Sequence, residues 1–337
     1  MPPQVKHAFP SWLARHYPGI LIAAIGGICA EAISQHYGAP AMLIALLIGL
    51  AIHFVHDLDS AKPGIGFASR DVLRFGVALL GLKIAYSDIV SIGLAPLLLV
   101  AGAMAVTMVS AVFGARMLGL SHEFAALSGG SVAVCGASAA AAISSVLPQD
   151  KDSERSLAVV IAVVTVMATV AMIFYPLLIA ALGLSPQDMG VILGGTIHDV
   201  AQVVAAGKAI SPKVGELSIL VKLMRVAMLL PIVMAVHFWL GRGAANQQST
   251  GKVQLVPSFL VAFFAFAALN SLHLVSETMS TWGATASHYF LVVAITAIGI
   301  KTDLKSVLDV GWRPFALIVF ETIIMLLVVL GGVLAMR

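Results

Sequence analysis

A chain of 337 residues that is 60% hydrophobic and only 10% charged, with a mean hydropathy of +1.02, excludes a soluble globular domain of this size. The formal charge of +3 is scattered over the polar segments, which argues against nucleic acid as a partner and leaves the lipid bilayer as the surrounding medium. Charge-free apolar runs recur along the chain, and most reach the roughly 18 to 20 residues that cross about 30 Å of hydrocarbon. The sequence therefore predicts an all-α polytopic membrane protein, with residues 1–337 forming a single transmembrane domain.

In chain order, about eleven transmembrane helices are expected. They fall near 18–35, 40–56, 72–88, 92–117, 123–147, 156–183, 187–208, 214–240, 255–273, 283–302 and 312–336. The first follows Lys6 and Arg15, and Glu31 spoils the small-residue "CAEA" as a cleavage site, so it reads as an uncleaved helix. Cys29 and Cys135 both lie in spans, and no disulfide is expected. With alternating spans, Lys6, Arg15, Lys62, Arg70, Arg116, Arg242, Lys252, Lys305 and Arg313 share the N-terminal side. Lys151, Arg155, Lys208, Lys213 and Arg337 fall on the other, and this imbalance predicts a cytoplasmic N-terminus.

Before the third span, "GIGFAS" has the opening glycine spacing of a phosphate loop but lacks the G-K-[ST] that would follow, and it reads as a turn. The segment 78–99 then aligns without gaps on 296–317 at an offset of 218, through Gly81/Gly299, Lys83/Lys301, Gly93/Gly311, Pro96/Pro314 and Leu99/Leu317. Each copy is a helix end, a polar turn and a proline opening the next helix. Spans three and ten run in opposite directions, so the copies predict inverted repeats, an arrangement common in secondary transporters. Shared helix-end punctuation is the alternative source of these identities.

The fifth span contains "SGGSVAVCGASAAAA", small residues on every face rather than a packing stripe. A discontinuous helix explains this, with freed backbone groups and the Ser131 and Ser138 hydroxyls lining a cavity around Cys135 and Gly136. A half-helix starting there presents the positive end of its dipole to a small anion. "GGTIHDVAQVVAAG" echoes it at an offset of 65, through Gly129/Gly194, Gly130/Gly195 and Ser131/Thr196, and it adds His198, Asp199 and Gln202. An unpaired Asp at the centre of a span costs about 2.5 to 3.5 kcal/mol, so Asp199 should face a cavity or a partner unless the pair lies at the membrane surface. His198 is suited to proton coupling. By the span count both segments are odd-numbered and would run parallel, which conflicts with inversion unless one of them is re-entrant or the count is wrong.

Farther on, "ILVKLMRVAMLLP" places Lys222 and Arg225 on one helical face, either to neutralise an anion or acidic side chain or to snorkel. Lys83 and Lys301 read as snorkelling helix-end residues, Glu321 should have a partner within the last span, and Asn270 a hydrogen bond between helices. There is no H-E-x-x-H, G-x-S-x-G or Walker motif and no metal-ligand spacing of histidines, so neither an enzyme nor a metal or cofactor site is expected.

"KPGIGFASRDVLRFGVALLGLKI", "AVCGASAAAA", "GGTIHDVAQVVAAG" and "VKLMRVAMLLP" together resemble the YeiH-like family of bacterial inner-membrane proteins, known as a sulfate exporter family. The resemblance spans essentially the whole chain. It implies the cation:proton antiporter and anion transporter superfamily, inverted repeats with two discontinuous helices crossing near the midplane, an elevator-type movement, and export of sulfate or a related sulfur anion. The expected substrate site is Ser131, Cys135, Gly136, Ser138, Thr196, Gln202, Lys222 and Arg225, with His198 and Asp199 carrying a coupling proton or sodium. The partners expected are a small inorganic or sulfonate anion, the bilayer and a second copy in a homodimer. A cation/proton antiporter using Asp199, and a non-transporting sensor or scaffold, are the rival readings.

Overall fold

The computed structural model describes residues 11–37, 40–84, 92–148, 153–240, 258–272, 274–302 and 311–337, and among these every regular element is helical. The polar turns of the two aligned segments (85–91 and 303–310), the segment "GRGAANQQSTGK", and Lys6, Lys151, Arg242, Lys252 and Lys305 lie outside the described residues.

Helix α1 spans Ser11–Tyr37 and α2 spans Ala41–Ala51. After a 3-10 turn, His53–Asp57, the run "GIGFAS" proves helical: α3, Lys62–Phe67, passes through a π turn, Ala68–Val72, into α4, Leu73–Leu80. Helix α5 is Leu94–Leu118, α6 His122–Ala133, α7 Ala137–Ser144 and α8 Ser153–Ala180. Helix α9 is Pro186–Thr196, α10 Val200–Ile210, α11 Pro212–Ala227 and α12 Leu229–Leu240. Helices α13, Ser258–Ser271, α14, Glu277–Lys301, and α15, Trp312–Ala335, complete the chain. Six segments are long and apolar enough to cross a membrane: α1, α5, α8, the α11–α12 pair, α14 and α15. The protein is a multi-pass membrane protein.

The helix starts are written locally. Ser121, Ser185, Ser211 and Ser276 each accept a hydrogen bond from the backbone N–H three residues on, and Pro186 and Pro212 open α9 and α11 where a missing donor costs nothing. Gly93 and Gly311, aligned in the two repeat copies, precede α5 and α15 with the same left-handed backbone, φ 77° and 87°.

The helices pack as two bundles. One contains α1–α4, α13 and α14; the other contains α5–α11 and α15, with α12 leaning on α6 and α7. Direct packing between the bundles is mainly that of α10 on α2 and α14. The Lys83–Glu216 ion pair adds a second link, so Lys83 does not simply snorkel. Asn270 donates to the Ile84 carbonyl at 3.3 Å, as a bond between helices should.

Helices α5 and α15 lie antiparallel. A Cβ at Gly114 would meet the Leu317 side chain, a Cβ at Gly332 would meet Leu99, and Thr107 Oγ1 reaches Met325 Sδ at 3.1 Å.

The expected spans 123–147 and 187–208 are corrected: neither is a discontinuous helix running straight on. Helices α6 and α7 form a hairpin. A Cβ at Gly130 would run into the Ile143 side chain, and Ser121, Phe124 and Leu127 share a pocket with Ser144 and Leu147. A continuing helix would separate positions 130 and 143 by about 20 Å at 1.5 Å per residue. Helices α9 and α10 form a second hairpin, measured against α11. Gly190 packs on Leu217 while Ile197 reaches Arg225, so α9 runs with α11; Gly207 packs on Gly215 while the His198 carbonyl reaches Lys222, so α10 runs against it. The reason is local. Val134 (φ −106°, ψ −85°) and Gly136 (φ 62°, ψ −127°) turn the first tip, and extended residues Ile197 and Asp199 turn the second.

The hairpins point in opposite directions. Gly129 on α6 packs against Ala111 and Met108, so α6 runs against α5. On α9, Asp188 pairs with Arg337 at 3.2 Å and Gly195 abuts Val329, so α9 runs against α15 and therefore alongside α5. The parity conflict in the sequence disappears, because neither hairpin crosses the membrane.

Close helix approach gives a stability test. A side chain at Gly194 would meet the Ser218 carbonyl and Val221, whereas Gly331 has nothing within 4 Å. Gly194→Val should cost about 1 to 3 kcal/mol through overpacking, read as a lower thermal midpoint in detergent, while Gly331→Val should leave the midpoint close to wild type.

Candidate functional site

The tips of the two hairpins meet. From the position of Gly136 a Cβ would lie 3.7 Å from the His198 carbonyl oxygen and 3.9 Å from Asp199 Cβ. Each tip ends a helix, and a helix end leaves carbonyls without partners; in hydrocarbon no water supplies them.

Two buried cations on α11 do. Lys222 Nζ donates to the carbonyls of Val134 (2.6 Å), Ile197 (2.9 Å) and His198 (2.6 Å). Arg225 donates from Nε to Ala133 (3.0 Å), from Nη1 to Gly194 and Ile197 (both 3.0 Å), and from Nη2 to Val132 and Ala133 (both 2.8 Å). Ammonium and guanidinium carry three and five N–H donors, so both are saturated. Three more carbonyls close locally, Gly130 to the Val134 N–H, Ser131 to the Gly136 N–H and Leu193 to the Ile197 N–H. Both cations are essentially inaccessible. Their charge therefore sits at the negative ends of α6 and α9 rather than beside open space or at the interface.

The positive ends are left over. Helix α7 starts at Gly136, which offers no side-chain cap, and α10 starts at Asp199. Ser138, in the first turn of α7, is exposed, and Asp199 is half-buried. Gln202, in the first turn of α10, is 1% exposed and neither its Nε2 nor its Oε1 has a partner. No carboxylate–cation contact within ion-pair distance involves Asp199 among the described residues.

The other expected site residues fall into supporting places. Ser131 and Thr196, in the last turns of α6 and α9, donate to the carbonyls of Leu127 (2.7 Å) and Ile192 (2.6 Å) within their own helices. Cys135 is buried in the first tip, and Cys29 is exposed; both are free. His198 is fully buried, with Nε2 2.9 Å from Thr322 Oγ1. The Thr322 hydroxyl has one proton and gives it to the Ile318 carbonyl at 2.7 Å, so the hydrogen of the His198 contact resides on Nε2.

Glu321 finds its partner in Ser128, whose hydroxyl donates to Oε1 at 2.7 Å, while Oε2 is unpartnered. Helix α15 thus grips the first hairpin through Glu321 and the second through Thr322. Sequence reasoning missed Ser128 and Thr322. Thr322 adjoins the one acidic residue of the last span, which was the available signal.

If the cations serve the tips, their loss must register without any ligand. Arg225→Lys supplies at most three donors to carbonyls that now receive five bonds, and each buried group left unsatisfied costs about 1 to 3 kcal/mol. Arg225→Lys and Lys222→Met should both lower the thermal midpoint of ligand-free protein. Unchanged ligand-free stability with weakened anion binding would instead make them ligand contacts.

Residues 18–318 match the family described as Conserved hypothetical protein 698. The chain is 45% identical over 318 residues to the UPF0324 membrane protein TauZ of Paracoccus denitrificans, covering 94% of each. It is 42% identical over 323 residues to a UPF0324 membrane protein of Chlorobaculum tepidum, covering 96% of this chain and 90% of that one. With a UPF0324 membrane protein of Bordetella pertussis the identity is 32% over 310 residues, covering 89% of this chain and 88% of the relative. No solved structure matches the chain. By match length and by identity, and in keeping with the YeiH-like resemblance of its motifs, the chain belongs to the UPF0324 family of membrane proteins.

Proposed function

We propose that the protein is a secondary active transporter that exports a small oxyanion, sulfate or a related sulfur anion, held where α7 begins. The observation that carries this reading is the sorting of charge at the tips. The negative helix ends are consumed by Lys222 and Arg225, while the start of α7 keeps its positive pole with Ser138 exposed in its first turn, and Gln202 lies unpartnered in the first turn of α10, whose start meets Gly136. Backbone N–H groups of α7, the Ser138 hydroxyl and the Gln202 amide are the oxyanion ligands. Sulfur comes from the YeiH-like resemblance; the site chemistry calls only for a compact oxyanion.

Inverted repeats support transport, and three contacts support inverted repeats. At the offset of 218, Gly114 corresponds to Gly332 and Leu317 to Leu99, so the two glycine–leucine contacts between α5 and α15 are images of each other. Thr107 corresponds to Met325, which it touches, as residues beside a pseudo-two-fold axis do. Oppositely pointing hairpins fit the same symmetry. The two bundles, joined mainly through α10 and the Lys83–Glu216 pair, suit an elevator in which the hairpin bundle moves against α1–α4, α13 and α14.

The reading includes a cytoplasmic N-terminus and a bacterial inner membrane, and the distribution of basic residues supports that orientation. Because the first hairpin returns, the start of α8, with Arg155, lies beside the start of α6, and Arg155 joins the N-terminal side. The positive imbalance grows.

Asp199, half-buried and with no cation within ion-pair distance among the described residues, carries the coupling proton or sodium, and His198 positions the second tip through Thr322. The same carboxylate favours a second reading, a cation/proton antiporter with no anion site. Thermal stability of purified protein, measured against sulfate, sulfite, thiosulfate, taurine, phosphate, chloride and sodium, separates them. A bound ligand at 100 times its Kd adds about 2.7 kcal/mol. A sulfur oxyanion should stabilise wild type and do so less in Ser138→Ala and Gln202→Leu. A response to sodium alone, abolished by Asp199→Asn, would overturn the exporter in favour of the antiporter. For the exporter, Asp199→Asn should keep oxyanion stabilisation in detergent and lose dependence of vesicle transport on the ion gradient.

A further inference from the structure

A second group of cations lies away from the tips, at the end of the molecule where α1 begins. Arg15 and His16 on α1 face Lys62, Phe67 and Arg70 across a cavity of about 410 Å³, with Asp71 on its wall. Lys62 and Arg70 share one face because positions four apart on a helix are neighbours, and Gly66 between them keeps that face open. The positive charge is incompletely answered. Asp59 pairs with Lys62 at 3.0 Å and Asp71 lies 3.7 Å from Arg74, but among the described residues no carboxylate lies within ion-pair distance of Arg15 or Arg70.

The position is that of a membrane surface. Helix α14 runs against α1, with Gly27 on Val292 and Val293, Gly26 on Thr296, and Ala23 in one cluster with Ile300. The start of α1 and the end of α14 at Lys301 therefore share one face. Trp12 stacks on His16 with ring centres 4.5 Å apart and meets the edge of Phe67 at 5.2 Å, an aromatic group at headgroup level. Leu13, Tyr17 and Leu21 are exposed on the other face of α1, which therefore presents an apolar surface outward while its cations face the pocket.

We propose that this pocket binds the phosphodiester headgroup of an anionic phospholipid, with Arg15 and Arg70 on the phosphate, Trp12 and Phe67 at headgroup level and the acyl chains in the bilayer. Guanidinium forks match phosphate oxygens, and basic pockets between membrane helices on the cytoplasmic side take anionic headgroups. A soluble phosphate would use the same cations but has no acyl chains to hold it at the membrane. The site is independent of the hairpin tips and stands whatever the transported ion is.

The test compares thermal midpoints and co-isolated lipid, by native mass spectrometry, in nanodiscs of phosphatidylcholine with and without phosphatidylglycerol. The variants are Arg15→Gln/Arg70→Gln and, as a control of equal charge loss at other helix starts, Arg155→Gln/Arg313→Gln. In phosphatidylcholine alone, both should match the wild-type midpoint, since all four side chains are peripheral to the packed core. Phosphatidylglycerol should raise the midpoint of wild type and control by several degrees and remain bound, and Arg15→Gln/Arg70→Gln should lose both effects. Equal responses in all three proteins, or equal loss in the control, would overturn the proposal. So would the same shift from inorganic phosphate in phosphatidylcholine discs, which would make the pocket a soluble-anion site.

Discussion

The structure depends on one constraint: helix ends placed inside a hydrophobic protein must have their carbonyls satisfied, and no solvent is at hand to do it. Two such ends meet at the hairpin tips. Eight N–H donors from Lys222 and Arg225 answer them, at 2.6 to 3.0 Å. A buried lysine or arginine is ordinarily costly unless paired with an acid. Here the counter-charge is distributed over six carbonyls at the negative ends of two helix dipoles, which lets the cations stay buried without a carboxylate contact. The cations come from one helix and the carbonyls from two hairpins, so a single turn of α11 locks three elements together.

That lock has an electrostatic consequence. A hairpin brings a helix C-terminus and a helix N-terminus to the same point, and their partial charges largely cancel. Once fixed cations neutralise the C-termini, the N-termini of α7 and α10 are no longer cancelled, and the tips become a place of positive potential although no free cation is exposed there. Asp199 tempers this at α10, and Gly136 leaves it untempered at α7. Glycine and aspartate thus differ at the two helix starts, and the proposed division between an anion site and a coupling-ion site rests on that difference.

Much of this was legible in the sequence, and what was not has a physical reason. Hydropathy marks apolar runs, and it marked α1, α5, α8, α14 and α15 well. It cannot distinguish a segment that crosses from one that enters and returns, because both are surrounded by apolar groups. Hence 123–147 and 187–208 were counted as spans. Small residues on every face of the first segment did report an interruption, yet glycine is equally permissive of a straight break and a reversal. The parity conflict between two echoing segments was the one sequence signal of reversal, since inversion and an even separation in span number cannot both hold for true spans. Lys222 and Arg225 were conspicuous as charges in an apolar run. Their partners were invisible, because a backbone carbonyl has no identity in a sequence. Ser128 and Glu321, 193 positions apart, illustrate the same limit for side chains.

The repeat was legible for a different reason. Its identities lie in punctuation, Gly93 and Gly311 with left-handed backbone and Pro96 and Pro314 in the first turns of α5 and α15, where backbone geometry leaves few alternatives. Apolar positions between them drift freely, since lipid accepts many side chains. The symmetry of packing nevertheless survives where small residues permit close approach: Gly114 receives Leu317 as Gly332 receives Leu99. A leucine fits against a helix only where the facing residue is small, so each such pair constrains two positions at once. The paired contacts thus keep a likeness between the two segments that most of their intervening residues do not show.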